Sequence, residues 1–95
     1  MFHLRDALYA ANELGILFQE FSIQDLLQGM NIELEHGKKN SLTNITNNDS
    51  ILTAKIALAH LLEYPNYYNS EYGILSFEKM LKGKLNEMSS SNKLK

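Results

Sequence analysis

Ninety-five residues suffice for one domain and leave no room for a second core, because a chain of this size buries only roughly 65% of the surface it exposes when unfolded. An apolar fraction of 44% is enough to build that core. A formal net charge of −2 argues against nucleic acid as a main partner, since phosphate binding needs a basic surface, and the lack of cysteine excludes disulfides and thiolate metal sites.

The first helix is expected over 3–14, where Leu4, Ala7, Leu8, Ala11 and Leu14 recur at helical spacing and Gly15 supplies a left-handed stop. Asn12 and Glu13 interrupt what would be the apolar stretch of a signal peptide. After the apolar link Ile16-Leu17-Phe18, Ser22 is the N-cap of a second helix, with Asp25 three residues on and Phe21 and Leu26 placed as a hydrophobic staple. That helix is predicted over 23–36, with the stripe Ile23, Leu26, Leu27, Met30 and Leu34, and Gly37 ends it. Residues 38–48 form a polar loop longer than the ~2 to 8 residues usual between bundle helices, a length that hints at function.

Asp49 or Asn48 caps a third helix predicted over 50–63. It is apolar nearly all round, from Ile51 to Leu62, which makes it the expected buried centre, and Pro65 stops it. Tyr64, Tyr67, Tyr68 and Tyr72 follow the break, either as a lid on a small core or as a surface for a partner. A last helix over 76–88 uses Phe77, Met80, Leu81, Leu85 and Met88 as its stripe. The fold class is thus all-α, a small bundle of about four helices. Residues 1–88 are read as a single helical domain and 89–95 as a disordered tail. No run approaches the ~18 apolar residues a spanning helix needs, so no membrane association is expected. The charges divide unevenly: residues 1–37 carry six acids against Arg5 alone, while 76–95 carry five lysines against Glu78 and Glu87. Such ends attract neighbouring copies, or are simply two solvated helix faces.

The constellation closest to chemistry is Glu33-x-x-His36 on the second helix with His60-x-x-Glu63 on the third. Three-residue spacing puts each pair on one helix face. An antiparallel pairing would set Glu33 opposite Glu63 and His36 opposite His60. Two imidazoles and two carboxylates suit zinc or iron, and bundle metal sites use Glu-x-x-His pairs projecting inward. The same four residues also suit a buried polar network that fixes helix packing, with His36 complementing carbonyls in its last turn. No nucleophile sits beside a base, and the glycines are too scattered to cradle phosphate. The pattern therefore points away from an enzyme.

Three segments carry a resemblance: Gly29 to Gly37 (GMNIELEHG), Thr43 to Asp49 (TNITNND) and Thr53 to Tyr68 (TAKIALAHLLEYPNYY). Together they resemble an uncharacterised family, a domain of unknown function of phages, other large DNA viruses and bacteria. The resemblance covers about 21–68 and marks Glu33, Glu35, His36, Asn44, Thr46, Asp49, Lys55, His60 and Glu63 as matching polar positions. The family's usual proline after the capping aspartate is Ser50 here, and Asn69 to Lys95 looks like an individual extension. The resemblance implies a viral or bacterial setting and no particular activity. The leading expectation is a non-enzymatic helical interaction module. It would be a small structural or accessory component of a virus particle, located in the cytoplasm or the virion, meeting a protein partner or another copy through Tyr64, Tyr67, Tyr68 and Tyr72 or the last helix. The alternative is a metal-binding domain, with hydrolytic or redox chemistry at Glu33, His36, His60 and Glu63 around zinc or iron.

Overall fold

A computed structural model describes residues 1–93, and side chains up to residue 85. Four α-helices follow one another, α1 Leu4–Leu14, α2 Ile23–Glu33, α3 Ser50–Glu63 and α4 Ile74–Lys93, and a 3-10 turn, Leu34–His36, continues α2. No strand occurs among the described residues. The chain is all-α, as its periodicity requires. The last helix starts two residues before its expected position and runs on to Lys93. The tail expected to be disordered, 89–95, falls on residues whose side chains lie outside that description.

Local chemistry sets the helix ends. Gly15 takes the left-handed conformation at φ 63° and its N–H reaches back to the carbonyls of Ala11 and Asn12, closing α1. Ser22 and Asp25 cap α2 reciprocally: the Asp25 N–H donates to Ser22 Oγ at 3.1 Å and the Ser22 N–H donates to Asp25 Oδ2 at 2.8 Å. Asp49, not Asn48, caps α3, accepting from the Leu52 N–H at 2.9 Å. Asn48 serves the loop instead, accepting from the Lys38 N–H at 2.9 Å while its own backbone is left-handed at φ 62°.

The core lies where α1, α2 and α3 meet: Ala7, Ala10, Ala11, Phe21, Leu26, Met30, Ala54, Ala57, Leu61 and Tyr68 are buried. Five alanines in that set let the three helices approach closely. Helix α3 touches both α1 and α2, which makes it central, yet only Thr53, Ala54, Ala57 and Leu61 on it are buried. Its outer face is open, with Leu62 66% exposed. The N-terminal strap is clamped to α2 by Asn31, whose side chain accepts from the Phe2 N–H at 2.7 Å and donates to the Phe2 carbonyl at 3.1 Å. By contrast α4 makes few contacts with the other helices among the described residues. Its apolar positions Phe77, Met80, Leu81 and Leu85 are exposed.

The meeting of α2 with α3 positions the site. Gly29 on α2 is buried, and a Cβ there would stand 3.1 Å from the Ala57 Cβ and 2.5 Å from the Tyr68 ring. The missing side chain is what lets that ring in. One turn further on, Glu33 meets His60. Glu33 therefore faces His60, and not Glu63 as in the expected antiparallel register. The 38–48 loop that leads into α3 is itself held at the end of α2, where the Ile45 and Thr46 N–H groups donate to the His36 carbonyl at 2.6 and 3.2 Å.

Candidate metal centre

Glu33 is the only charged side chain buried among the described residues, at 4% exposure, and such a group must be paired or bound to be tolerated. Its two oxygens have different partners. Oε2 accepts the Tyr68 hydroxyl at 2.5 Å, a length typical of hydrogen bonds to an ionised acceptor. Oε1 lies 3.3 Å from His36 Nε2, which is also 3.4 Å from Glu35 Oε1. His60 Nε2 approaches from α3, 3.8 Å from Glu33 Oε2. No buried side-chain polar atom is left without a hydrogen-bond partner among the described residues.

Each group arrives by a simple route. Glu33 and His36 share a face through their three-residue spacing. The 3-10 turn at Leu34–His36 winds the chain more tightly than an α-helix and lets Glu35 share the His36 nitrogen. Pro65 ends α3 and a turn follows, in which the Tyr67 N–H donates to the Tyr64 carbonyl at 2.9 Å. That turn lays Tyr67 flat on His60, ring centroids 4.3 Å apart at 4°, and sends Tyr68 edge-on beneath Tyr67 at 5.0 Å. Burial, and then the bond to Glu33, pushes the Tyr68 hydroxyl well above the usual tyrosine range; burial also raises Tyr67, with the Glu33 charge adding to it. Tyr68 thus remains a proton donor to Glu33 through the neutral range.

Of the four ligands expected from sequence, the fold brings Glu33, His36 and His60 to one place. Glu63 is exposed, and no hydrogen bond or ion pair joins it to the other three among the described residues. The Tyr68 hydroxyl takes the position at Glu33 that the expected register gave to Glu63. Glu35 and Tyr68 are the members that spacing missed. An i, i+2 residue on an α-helix points away from its neighbour, so only the tighter turn reveals Glu35. Of the four tyrosines read as a partner surface, Tyr64 and Tyr72 are exposed and Tyr67 is half-buried, whereas Tyr68 is in the core. For Tyr68 the lid reading is the one that fits.

Glu33, Glu35 and His36 each offer a ligand atom, all within 4.8 Å of one another. Bonds of about 2.0–2.2 Å in a tetrahedral site set ligand atoms roughly 3.4 Å apart, and the two separations around His36 Nε2 are 3.3 and 3.4 Å. The donor set, two carboxylate oxygens and an imidazole, suits zinc or ferrous iron. The Tyr68 bond to the far oxygen of Glu33 and the loop's grip on the His36 carbonyl are the outer contacts that hold such ligands in place. Beside the cluster, Tyr64, Tyr67, Tyr72, Ile74 and Phe77 line an open cleft of about 420 Å³.

Comparison with protein families gives a match over residues 7–73 to the family described as "Protein of unknown function (DUF5661)". It reaches further at both ends than the 21–68 over which the motifs are recognisable, taking in most of α1 and stopping at the threshold of α4. Neither the curated proteins nor the solved structures contain a match to the chain.

Proposed function

This chain belongs to the DUF5661 family of unknown function, and from that premise we propose that it is a small metal-binding helical module. Glu33, Glu35 and His36 are its ligands, while His60 stands beside the other oxygen of Glu33, at 3.8 Å. The supporting observation is the position of His36 Nε2, 3.3 and 3.4 Å from two carboxylate oxygens, the ligand spacing of a tetrahedral zinc or iron site. All of these residues lie inside the family match. Because His36 is partly exposed, an ion can enter from solvent, and binding adds its free energy to the folded state alone.

Elemental analysis of protein expressed with added zinc or iron is the direct test. About one equivalent of metal is expected in the wild type, with strong loss in His36→Ala and retention in Glu63→Gln. In the wild type a chelator should lower the melting temperature, and in His36→Ala it should not. Cobalt(II) should give the visible bands of a tetrahedral site. A folded, metal-free wild type after metal-replete expression would sink the proposal.

A second reading has its own support: the exposed apolar row on α4 suits a helical interaction module. Its setting, a viral or bacterial one with a place in a particle or in the cytoplasm, rests on the motif resemblance alone. A photo-cross-linking residue at Phe77, introduced in cells, tests this reading, which predicts a discrete protein adduct at that position and none at exposed Lys39.

A further inference from the structure

Four aromatic rings line one cleft on this chain. Tyr64, Tyr67, Tyr72 and Phe77, with Ile74, enclose about 420 Å³, a size that suits a small organic ligand. Tyr64, Tyr72 and Phe77 are exposed. Tyr67 is a fixed wall, since its ring lies flat on His60 with centroids 4.3 Å apart. The turn that carries these rings is tied down as well. The Gly73 N–H donates to the Asn69 carbonyl at 2.8 Å and the Ile74 N–H to the Tyr67 carbonyl at 2.6 Å, while Asn69 Oδ1 accepts from the Glu71 and Tyr72 N–H groups at 2.8 and 3.1 Å. A Cβ at Gly73 would run into the carbonyls of Tyr67, Asn69 and Asn66, so a bare backbone there is what lets the chain fold back and bring Phe77 to the tyrosines.

The surroundings are acidic. Burial raises the Tyr67 hydroxyl, and the strongest charges acting on it after that are the carboxylates of Glu33, Glu78, Glu35 and Glu63, all of which raise it further. The lysines of α4 are placed otherwise. Counted from Phe77 at about 100° per residue, Lys79 and Lys82 stand on other sides of the helix, and Lys84 is two turns, roughly 10 Å, further along. An aromatic face attracts a cation, and an acidic field favours one over a neutral or anionic ligand. No carboxylate lines the cleft itself, and the Asn66 and Tyr67 carbonyls are already taken by the Asn69 and Ile74 N–H groups. A primary ammonium would give up its strong hydration there for few acceptors, whereas a fully methylated nitrogen has no N–H to satisfy. We propose that the cleft binds a small organic cation bearing a quaternary ammonium group, held by the rings of Tyr64, Tyr67, Tyr72 and Phe77. Metal at the neighbouring Glu33 cluster is not required for it.

NMR titration of the full chain with three probes tests this: choline, its neutral carbon isostere 3,3-dimethylbutan-1-ol, and ethanolamine, which keeps the charge but carries N–H donors. Chelator is present throughout, so the outcome is independent of the metal site, which elemental analysis tests separately. Choline should shift the amides of Tyr67, Tyr72 and Phe77 saturably, and the other two probes should bind at least about tenfold more weakly. Tyr72→Leu, at an exposed ring, should weaken choline by a similar factor. Tyr72→Phe should bind like the wild type, because the ring and not the hydroxyl carries the contact. Glu78→Gln should weaken choline and leave the isostere unchanged. No saturable shift with choline overturns the proposal. An isostere that binds as tightly as choline makes the cleft a purely apolar site, and ethanolamine doing so removes the preference for a methylated nitrogen; either result overturns it. Choline binding unaltered in both Tyr72→Leu and Tyr64→Leu, each shown to fold by circular dichroism, puts the site elsewhere and overturns it as well.

Discussion

Replacing Tyr68 by Phe keeps the ring and removes the one hydroxyl that reaches Glu33 Oε2. A buried acceptor stripped of a donor costs about 1–3 kcal/mol, and urea melts in the presence of chelator should show a loss of that size. The same residue sets a dependence on alkaline pH. In the folded chain the Tyr68 hydroxyl is raised above its unfolded value of about 10 by burial and by Glu33, so the folded state holds this proton more tightly than the unfolded state does. The contribution is therefore fully present below pH ~10 and is lost as pH rises from there toward the folded value. Metal-free protein should keep its stability up to about pH 10 and lose it above, and Tyr68→Phe should flatten that decline. A wild type equally stable at pH 9 and pH 11 would mean that Tyr68 is not buried against Glu33. Gly29 makes the same point from the other side. A Cβ there would meet the Tyr68 ring at 2.5 and 2.7 Å, so Gly29→Ala, which ordinarily favours a helix, should here destabilise by about 1–3 kcal/mol through overpacking.

At the scale of the element, α3 shows both what sequence specifies and what it leaves open. Its limits follow from Asp49 and Pro65, as those of α2 and α1 follow from Ser22, Asp25 and Gly15, because caps and breakers act within a few residues and leave a local signature. Which of its aliphatic residues are buried is not local. With apolar residues nearly all round, periodicity ranks Leu58 with Leu61. The fold buries Leu61 completely and leaves Leu58 at the edge of the hollow. Leu61→Ala should accordingly cost ~2 to 5 kcal/mol through the cavity it leaves, and Leu58→Ala distinctly less in the same denaturant melts; the reverse order would mean that α3 is rotated. The site divides likewise. Glu33, His36 and His60 are legible from three-residue spacing on two helices. Glu35 is not, since it enters through a 3-10 turn, and Tyr68 is not, since it enters through a turn beyond the helix. The register of α3 on α2 was also out of reach, because the loop between them, held by Ile45 and Thr46 at the His36 carbonyl, has a polar sequence that gives no sign of where it lands.

Among the described residues the buried apolar side chains of the core run from Ala7 to Tyr68, and Ile74 is the last apolar residue packed against them. Helix α4 then carries the chain outward, to a longest extent of 56 Å against 20 Å for the shortest. Its own hydrogen bonds hold it, but little apolar burial adds to them. The cooperativity of this small protein should therefore change at Gly73. In native-state hydrogen exchange, amides inside α2 and α3 should open only with global unfolding, while those of α4 exchange through local fraying at far lower cost. The Ile45 and Thr46 amides, although they lie in a loop, should follow the slow class, because they donate to the end of α2. Uniform protection from α1 through α4 in dilute protein would contradict this division. Held this loosely, α4 can have Phe77, Leu81 and Leu85 ordered by whatever it meets, and a contact made there can form and release without disturbing the cluster around Glu33.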